Sequence, residues 1–182
     1  AAVQSLADGA DLITFSGDKL FGGPQAGIIA GRADLVAACA AHPLARALRP
    51  GGLVLVALQN IVMTYLDKRA ATDIPFWKMV ATPLAELDSR AERIVEAVAD
   101  VRPTARVMRS DALPGAGSAP GVTMPSMAVT VDGDVLRTLR THTMPVIART
   151  RDDVTSLDLR SVDPSDDDVV IAALRQTCGP SS

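Results

Sequence analysis

Two short apolar runs, Asp11-Leu12-Ile13-Thr14-Phe15 and Ala26-Gly27-Ile28-Ile29-Ala30, flank a glycine-rich turn that carries one lysine, Ser16-Gly17-Asp18-Lys19-Leu20-Phe21-Gly22-Gly23-Pro24-Gln25. Runs of this length bounded by turn residues predict a buried strand on each side. Lys19 then stands at a strand end. An ammonium partly desolvated there can release its proton readily enough for the amine to attack an aldehyde. Ser16 adds a hydroxyl, and without a Cβ the amides of Gly17, Gly22 and Gly23 can approach a phosphate closely. An ordinary surface hairpin with a solvated lysine fits these residues equally well. A P-loop fits less well, because its lysine follows the glycines and Lys19 precedes Gly22-Gly23.

Pyridoxal phosphate is the aldehyde that enzymes most often hold on a lysine, so it is the cofactor this turn suggests. Other chemistry finds less support. Cys39 and Cys178 are far apart and form no Cys-x-x-Cys or Cys/His pattern, which predicts no metal site and a reducing compartment. Cys39 is expected to fill a helix's apolar face, and Cys178 to be a bystander. His42 precedes Pro43 as a capping residue would, His142 has no partner pattern, and neither joins a Ser-His-Asp constellation.

The chain has 182 residues, 48% hydrophobic and 21% charged, enough to bury a core and too apolar for wholesale disorder. A net charge of −3 gives no electrostatic case for binding nucleic acid through this chain alone. The longest apolar run, Leu53 to Leu58, is too short to span a membrane, and no signal peptide is visible, so a cytoplasmic location is expected.

Ala1 to Ala7 reads as a helix tail closed by Asp8-Gly9, with no β-α units before it to complete a parallel sheet. The expectation is an α/β domain truncated at its N-terminus. Ala33 to Ala41 predicts a helix ended by Pro43, and Gly51 to Lys68 a helix apolar on almost every side, suited to the inside of a larger assembly. The polar stretch Asp67 to Pro75 predicts a boundary, giving domains 1–75 and 76–182.

Beyond it, Thr82-Pro83 predicts a cap and first turn for a helix to Val98. Its packed stripe is Leu84, Leu87, Ala91, Ile94, Val95 and Val98, with charges outside. Strands are predicted at Ala105 to Arg109, Met127 to Val131, Val146 to Thr150 and Val154 to Leu159. Helices are predicted near Asp134 to Thr141 and from Ser165 to before Gly179. These elements describe a small α+β domain. Trp77, near the boundary, is expected to pack.

The string Phe15-Ser16-Gly17-Asp18-Lys19-Leu20-Phe21-Gly22-Gly23-Pro24-Gln25-Ala26-Gly27-Ile28-Ile29 closely resembles the cofactor-lysine segment of the bacterial selenocysteine synthase family, the L-seryl-tRNA(Sec) selenium transferases. The likeness continues in order through His42-Pro43-Leu44-Ala45-Arg46-Ala47-Leu48-Arg49, Ile74-Pro75-Phe76-Trp77-Lys78-Met79, Ala81-Thr82-Pro83-Leu84 and Pro120-Gly121-Val122-Thr123-Met124-Pro125-Ser126. Departures are Phe21, where the family usually has leucine; Ala116 and Ala119, in a normally more glycine-rich loop; and Thr143-Met144-Pro145, where a proline pair is usual.

The resemblance implies a fold-type-I pyridoxal-phosphate transferase, here the end of the large domain followed by the small C-terminal α+β domain. It implies pyridoxal 5'-phosphate on Lys19, with Ser16, Gly22 and Gly23 around the cofactor phosphate. Arg46 and Arg49, three apart and on one face if helical, match the arginine pair that binds the selenium donor; spacing alone would make them a solvated basic face. The implied reaction converts seryl-tRNA(Sec) to selenocysteinyl-tRNA(Sec) with selenophosphate, in a homo-oligomer. The family's pyridine-nitrogen carboxylate and much of its tRNA contact lie upstream, so residues 1–182 alone are expected to be inactive. Arg149 receives no role. Two alternatives stay open: a related lyase acting on a small amino acid or amino sugar without tRNA, and a catalytically silent module in oligomer assembly.

Overall fold

A computed structural model describes residues 2–115, 119 and 121–177. Ala1, Ala116, Pro120, Cys178 and Gly179, on which some expectations above rest, lie outside the described residues. The chain forms two compact units, Ala1–Lys78 and Met79–Ser182.

The first unit contains α1 (Ala2–Ala7), β1 (Leu12–Ser16), β2 (Gly27–Gly31), α2 (Ala33–Ala41), α3 (Pro43–Ala47), α4 (Gly52–Leu66) and α5 (Ala70–Asp73); α6 (Pro75–Ala81) begins within it. β1 and β2 pair antiparallel, with Ser16 opposite Gly27 and Leu12 opposite Gly31, so the lysine turn closes a hairpin. Among the described residues of this unit only Gly17 and Ile74 are buried. α4 is apolar around its circumference as expected, yet none of its residues is buried, and Leu53 and Leu66 stand 88% and 68% exposed. Cys39 is also exposed, a correction to its expected place in a core, because α2 buries none of its residues.

The second unit is built on a four-stranded antiparallel sheet of β3 (Arg106–Ala112), β4 (Met124–Asp132), β5 (Arg149–Arg151) and β6 (Val154–Asp158), in the order β3-β4-β6-β5. α7 (Leu84–Val98) and α9 (Asp167–Gln176) supply Leu87, Ala91, Ile94, Val98, Val170 and Leu174 to a core shared with Val129, Val131 and Leu157. α8 (Leu136–Thr141) adds Leu139. The expected stripe of α7 is therefore the buried one, but its charges do not all lie outside.

Arg90, 3% exposed, meets the Asp167 carboxylate through Nε at 3.0 Å and Nη2 at 2.7 Å, and Nη2 also donates to the Val162 carbonyl at 3.0 Å. Two buried charges are tolerable only when paired and hydrogen-bonded in this way. Arg160, 7% exposed, donates to the carbonyls of Met79 (2.9 Å), Thr82 (2.9 Å) and Pro125 (2.6 Å). It thereby serves carbonyls that the end of α6 leaves without helical partners. The expected threonine cap of α7 is corrected as well. Pro83 itself occupies the capping position, with extended φ −63° and ψ 146°, and puts Thr82 one residue further out.

Arg151 pairs with Val154 across a two-residue loop in which Asp152 and Asp153 hold φ of 50° and 57°. Positive φ at both central residues is the requirement of a type I′ turn, which Asn-Gly meets with least strain. Changing Asp152→Asn and Asp153→Gly together is expected to raise stability by about 0.5–1 kcal/mol. The exposed Arg151–Asp152 pair, 3.6 Å apart, has little to lose. A lower denaturation midpoint for this variant would show that the aspartates hold the loop in some other way.

Candidate active site

The hairpin turn closes on its own backbone. The amide of Gly17 donates to Ala26 O at 2.8 Å, that of Gly22 to Lys19 O at 2.9 Å, and that of Gly23 to Gly17 O at 2.7 Å. Gly22 holds φ +78°, and a Cβ there would run into Ile74 Cγ2. These glycines are thus required by the turn and by the residue packed against it. Each of these three amides has a carbonyl partner in the hairpin.

Lys19 lies in this turn with its side chain 56% exposed, not desolvated as expected. Nζ donates to Asp18 Oδ2 at 2.9 Å, and Ser16 Oγ donates to Asp18 Oδ1. The Ser16 hydrogen bond first, and then that of Lys19, hold the Asp18 carboxyl below its ordinary range. Asp18 consequently keeps its negative charge, and the pair with Lys19, down to pH values below the usual carboxylate range, and loses it only as pH falls through the depressed value. The structure therefore links Lys19 to Ser16 through the Asp18 carboxylate.

Beneath the turn, one face of α4 presents Leu58, Ile61 and Tyr65. Positions for a Cβ at Gly23 lie 3.5 Å from Leu58 and from Ile61. The Tyr65 ring stacks on Phe21 with centroids 5.1 Å apart and planes 9° from parallel, and Phe15 meets Phe21 edge-on. Tyr65 Oη donates to the carbonyls of Phe21 at 3.0 Å and Leu20 at 3.4 Å, and accepts from Trp77 Nε1 at 2.5 Å. Sequence reading passed over Tyr65. The available signal was a lone phenol in an apolar helix, since a half-buried hydroxyl requires partners.

Arg46 lies in the last turn of α3, whereas Arg49 lies beyond the helix, past its capping residue Leu48. The expectation of two guanidinium groups on one helix face is corrected: Pro50 follows directly, and the helix stops before Arg49. Both side chains are exposed, and neither forms a hydrogen bond or ion pair among the described residues. Ser16, Cys39, His42 and Arg49 line an open groove of about 1060 Å³ between the hairpin and the α2–α3 segment. Lys19 and Arg46 lie outside that lining.

His42 Nδ1 accepts the Leu44 amide at 3.2 Å, capping the start of α3, and His142 makes only contacts with Met144 in its own loop. Arg149 is exposed on the edge strand β5. Among the described residues no three His, Cys, Asp or Glu side chains come together as a metal site, and no helix is long and apolar enough to cross a membrane.

The family model described as L-seryl-tRNA selenium transferase matches residues 1–163. A Moorella thermoacetica protein named L-seryl-tRNA(Sec) selenium transferase is 39% identical over 178 residues, covering 92% of this chain and 38% of the relative. A protein of the same name from Aquifex aeolicus is 37% identical over 162 residues, covering 85% and 35%. A solved structure of D-glucosaminate-6-phosphate ammonia-lyase superposes with a TM-score of 0.62 at 25% identity, covering 95% of this chain and 45% of the other. The chain thus spans well under half the length of the relatives it matches.

Proposed function

The chain belongs to the L-seryl-tRNA selenium transferase family, and on that premise we propose that it carries the cofactor lysine and donor-binding arginines of an enzyme converting seryl-tRNA(Sec) to selenocysteinyl-tRNA(Sec) with selenophosphate. The large-domain end of a fold-type-I architecture is proposed for residues 1–75, and its small domain for 76–182. The observation that carries the reading is the Ser16–Asp18–Lys19 cluster at the hairpin tip, inside the segment that the family model matches.

The lysine end of this cluster fits pyridoxal phosphate: a half-exposed primary amine held by one carboxylate, with a hydroxyl on the same carboxylate. When bound, the cofactor supplies an aldehyde for an amine to attack and a ring that takes up electrons released at the substrate's α-carbon. Asp18 orients Nζ through the 2.9 Å hydrogen bond. Before Lys19 can act as a nucleophile, Nζ must lose a proton, and the Asp18 carboxylate is the acceptor bonded to it. Ser16 governs how good that acceptor is, because its hydrogen bond is the largest cause of the lowered Asp18 pKa. If the Ser16 hydroxyl turns to a cofactor phosphate, Asp18 loses that stabilisation and takes the lysine proton more readily. Gly22 and Gly23 contribute by shaping the turn that carries Lys19. Arg46 and Arg49, with no hydrogen bond or ion pair among the described residues, are available for charged hydrogen bonds to an oxyanion donor. Homo-oligomer assembly would cover exposed α4 residues such as Leu53 and Leu66.

Borohydride reduction of the full-length gene product with pyridoxal phosphate, followed by peptide mass analysis, is expected to mark Lys19. A label on Lys68 or Lys78 instead would overturn the assignment. Changing Arg46→Ala or Arg49→Ala is expected to raise the apparent donor requirement by the equivalent of about 1.5–3 kcal/mol, with cofactor absorption retained. Unchanged donor kinetics in both variants would return these arginines to an ordinary solvated surface.

A further inference from the structure

We propose that Tyr65 is a positioning residue for Lys19, acting through its hydroxyl on the two carbonyls that follow the lysine, with Trp77 fixing the direction of that hydroxyl. The proposal rests on the reading of Lys19 as the cofactor lysine.

A phenolic oxygen has one proton to give. Oη shares it between Phe21 O at 3.0 Å and Leu20 O at 3.4 Å, while Trp77 Nε1, which can only donate, occupies an acceptor site on the same oxygen at 2.5 Å. That indole contact prevents Oη from rotating its proton away from the turn. The peptide units held are those immediately after Lys19, whose own carbonyl receives the Gly22 amide. Every carbonyl from Lys19 to Phe21 therefore has a donor, from the hairpin itself or from α4. Phe21 adds a second restraint. Its ring lies flat on Tyr65 and edge-on to Phe15, so the position where the family usually carries leucine here joins the turn to both β1 and α4.

The side chain of Lys19 is half in water, and among the described residues only Asp18 holds its head group in place. With so little restraint on the side chain, the direction of approach of Nζ is set chiefly by the backbone that carries it. A residue that fixes this backbone from below controls how often the amine lies where an aldehyde can be attacked.

The test uses the full-length gene product with Tyr65→Phe, which keeps the ring stack and removes the hydroxyl, and Trp77→Phe, which removes the indole donor and keeps a smaller aromatic ring in its place. Two quantities are read: hydrogen exchange of the peptide spanning residues 17–24 without cofactor, and the rate of borohydride-trapped labelling of Lys19 across a pyridoxal phosphate titration. For Tyr65→Phe, exchange in 17–24 is expected to rise and the maximal labelling rate to fall about five- to tenfold, as expected for losing one net hydrogen bond. The half-saturating cofactor concentration and exchange in α7 should stay unchanged. Trp77→Phe should move the same quantities about two- to threefold. A slower labelling rate without faster exchange would overturn the proposal, as would faster exchange without a change in labelling, which would make the tether merely structural. Should wild-type protein label elsewhere than Lys19, the functional reading fails, while the exchange measurement still decides whether Tyr65 holds the turn.

Discussion

Lys19→Ala is expected to abolish selenium transfer, by about a thousandfold or more, without measurable loss of folding stability. The size of the effect follows from the role proposed for the amine: a missing nucleophile removes the covalent route altogether instead of weakening one contact. The retained stability follows from the structure. The Lys19 side chain is 56% exposed and forms an ion pair with Asp18, of a kind that contributes little in water. Transfer activity and thermal denaturation measured on the same preparation separate the two effects. Transfer at a rate near that of the unaltered protein would remove Lys19 from the chemistry, and a large fall in melting temperature would show that the turn depends on it.

The largest effect on stability is expected in the second unit. Arg90→Met should cost about 3–5 kcal/mol, because it leaves the Asp167 carboxylate, 6% exposed, with only the peripheral Arg93 at 3.3 Å and removes the donor of the Val162 carbonyl. The double change Arg90→Met with Asp167→Leu should recover most of that loss, since no stranded charge remains. Denaturant unfolding of both variants measures the difference. Equal destabilisation by the single and double variants would mean that the arginine acts by packing and not by charge.

The sequence made the second unit's elements readable because alternation and helical spacing there coincide with a real core. Leu87, Ala91, Ile94 and Val98 were named from spacing, and all are buried. The same spacing concealed Arg90. It lies three residues after Leu87 and four before Ile94, squarely on the buried face, but a charged residue type suggests the outside until a partner 77 residues away is known. Arg160 was missed for the same reason: its acceptors are main-chain carbonyls, which leave no mark in a side-chain pattern. In the first unit the lysine hairpin was legible as two apolar runs about a turn, yet the glycines invited a phosphate-binding interpretation. Their amides close the turn on main-chain carbonyls, and backbone pairing of that kind leaves no mark in the sequence. The three-residue spacing of Arg46 and Arg49 puts them on one face only within a helix, and α3 ends at Ala47, short of Arg49. Membership of the family supports the overall reading of the site, while the individual residue roles rest on the experiments above.

Arg160 also bears on the order in which the second unit can assemble. Its acceptors Met79 and Thr82 precede it by 81 and 78 residues, and the Arg90–Asp167 and Arg102–Thr177 contacts span 77 and 75. A ribosome releases α7 (Leu84–Val98) long before Asp167 and the residues of α9, so the nascent helix has an apolar stripe and a charged residue on it without the partners that α9 supplies. The clasps can form only when the segment from Leu159 to Thr177 arrives, which makes closure of this unit a late and highly non-local event. Until then, chaperone binding and proteolysis compete for the same exposed stripe.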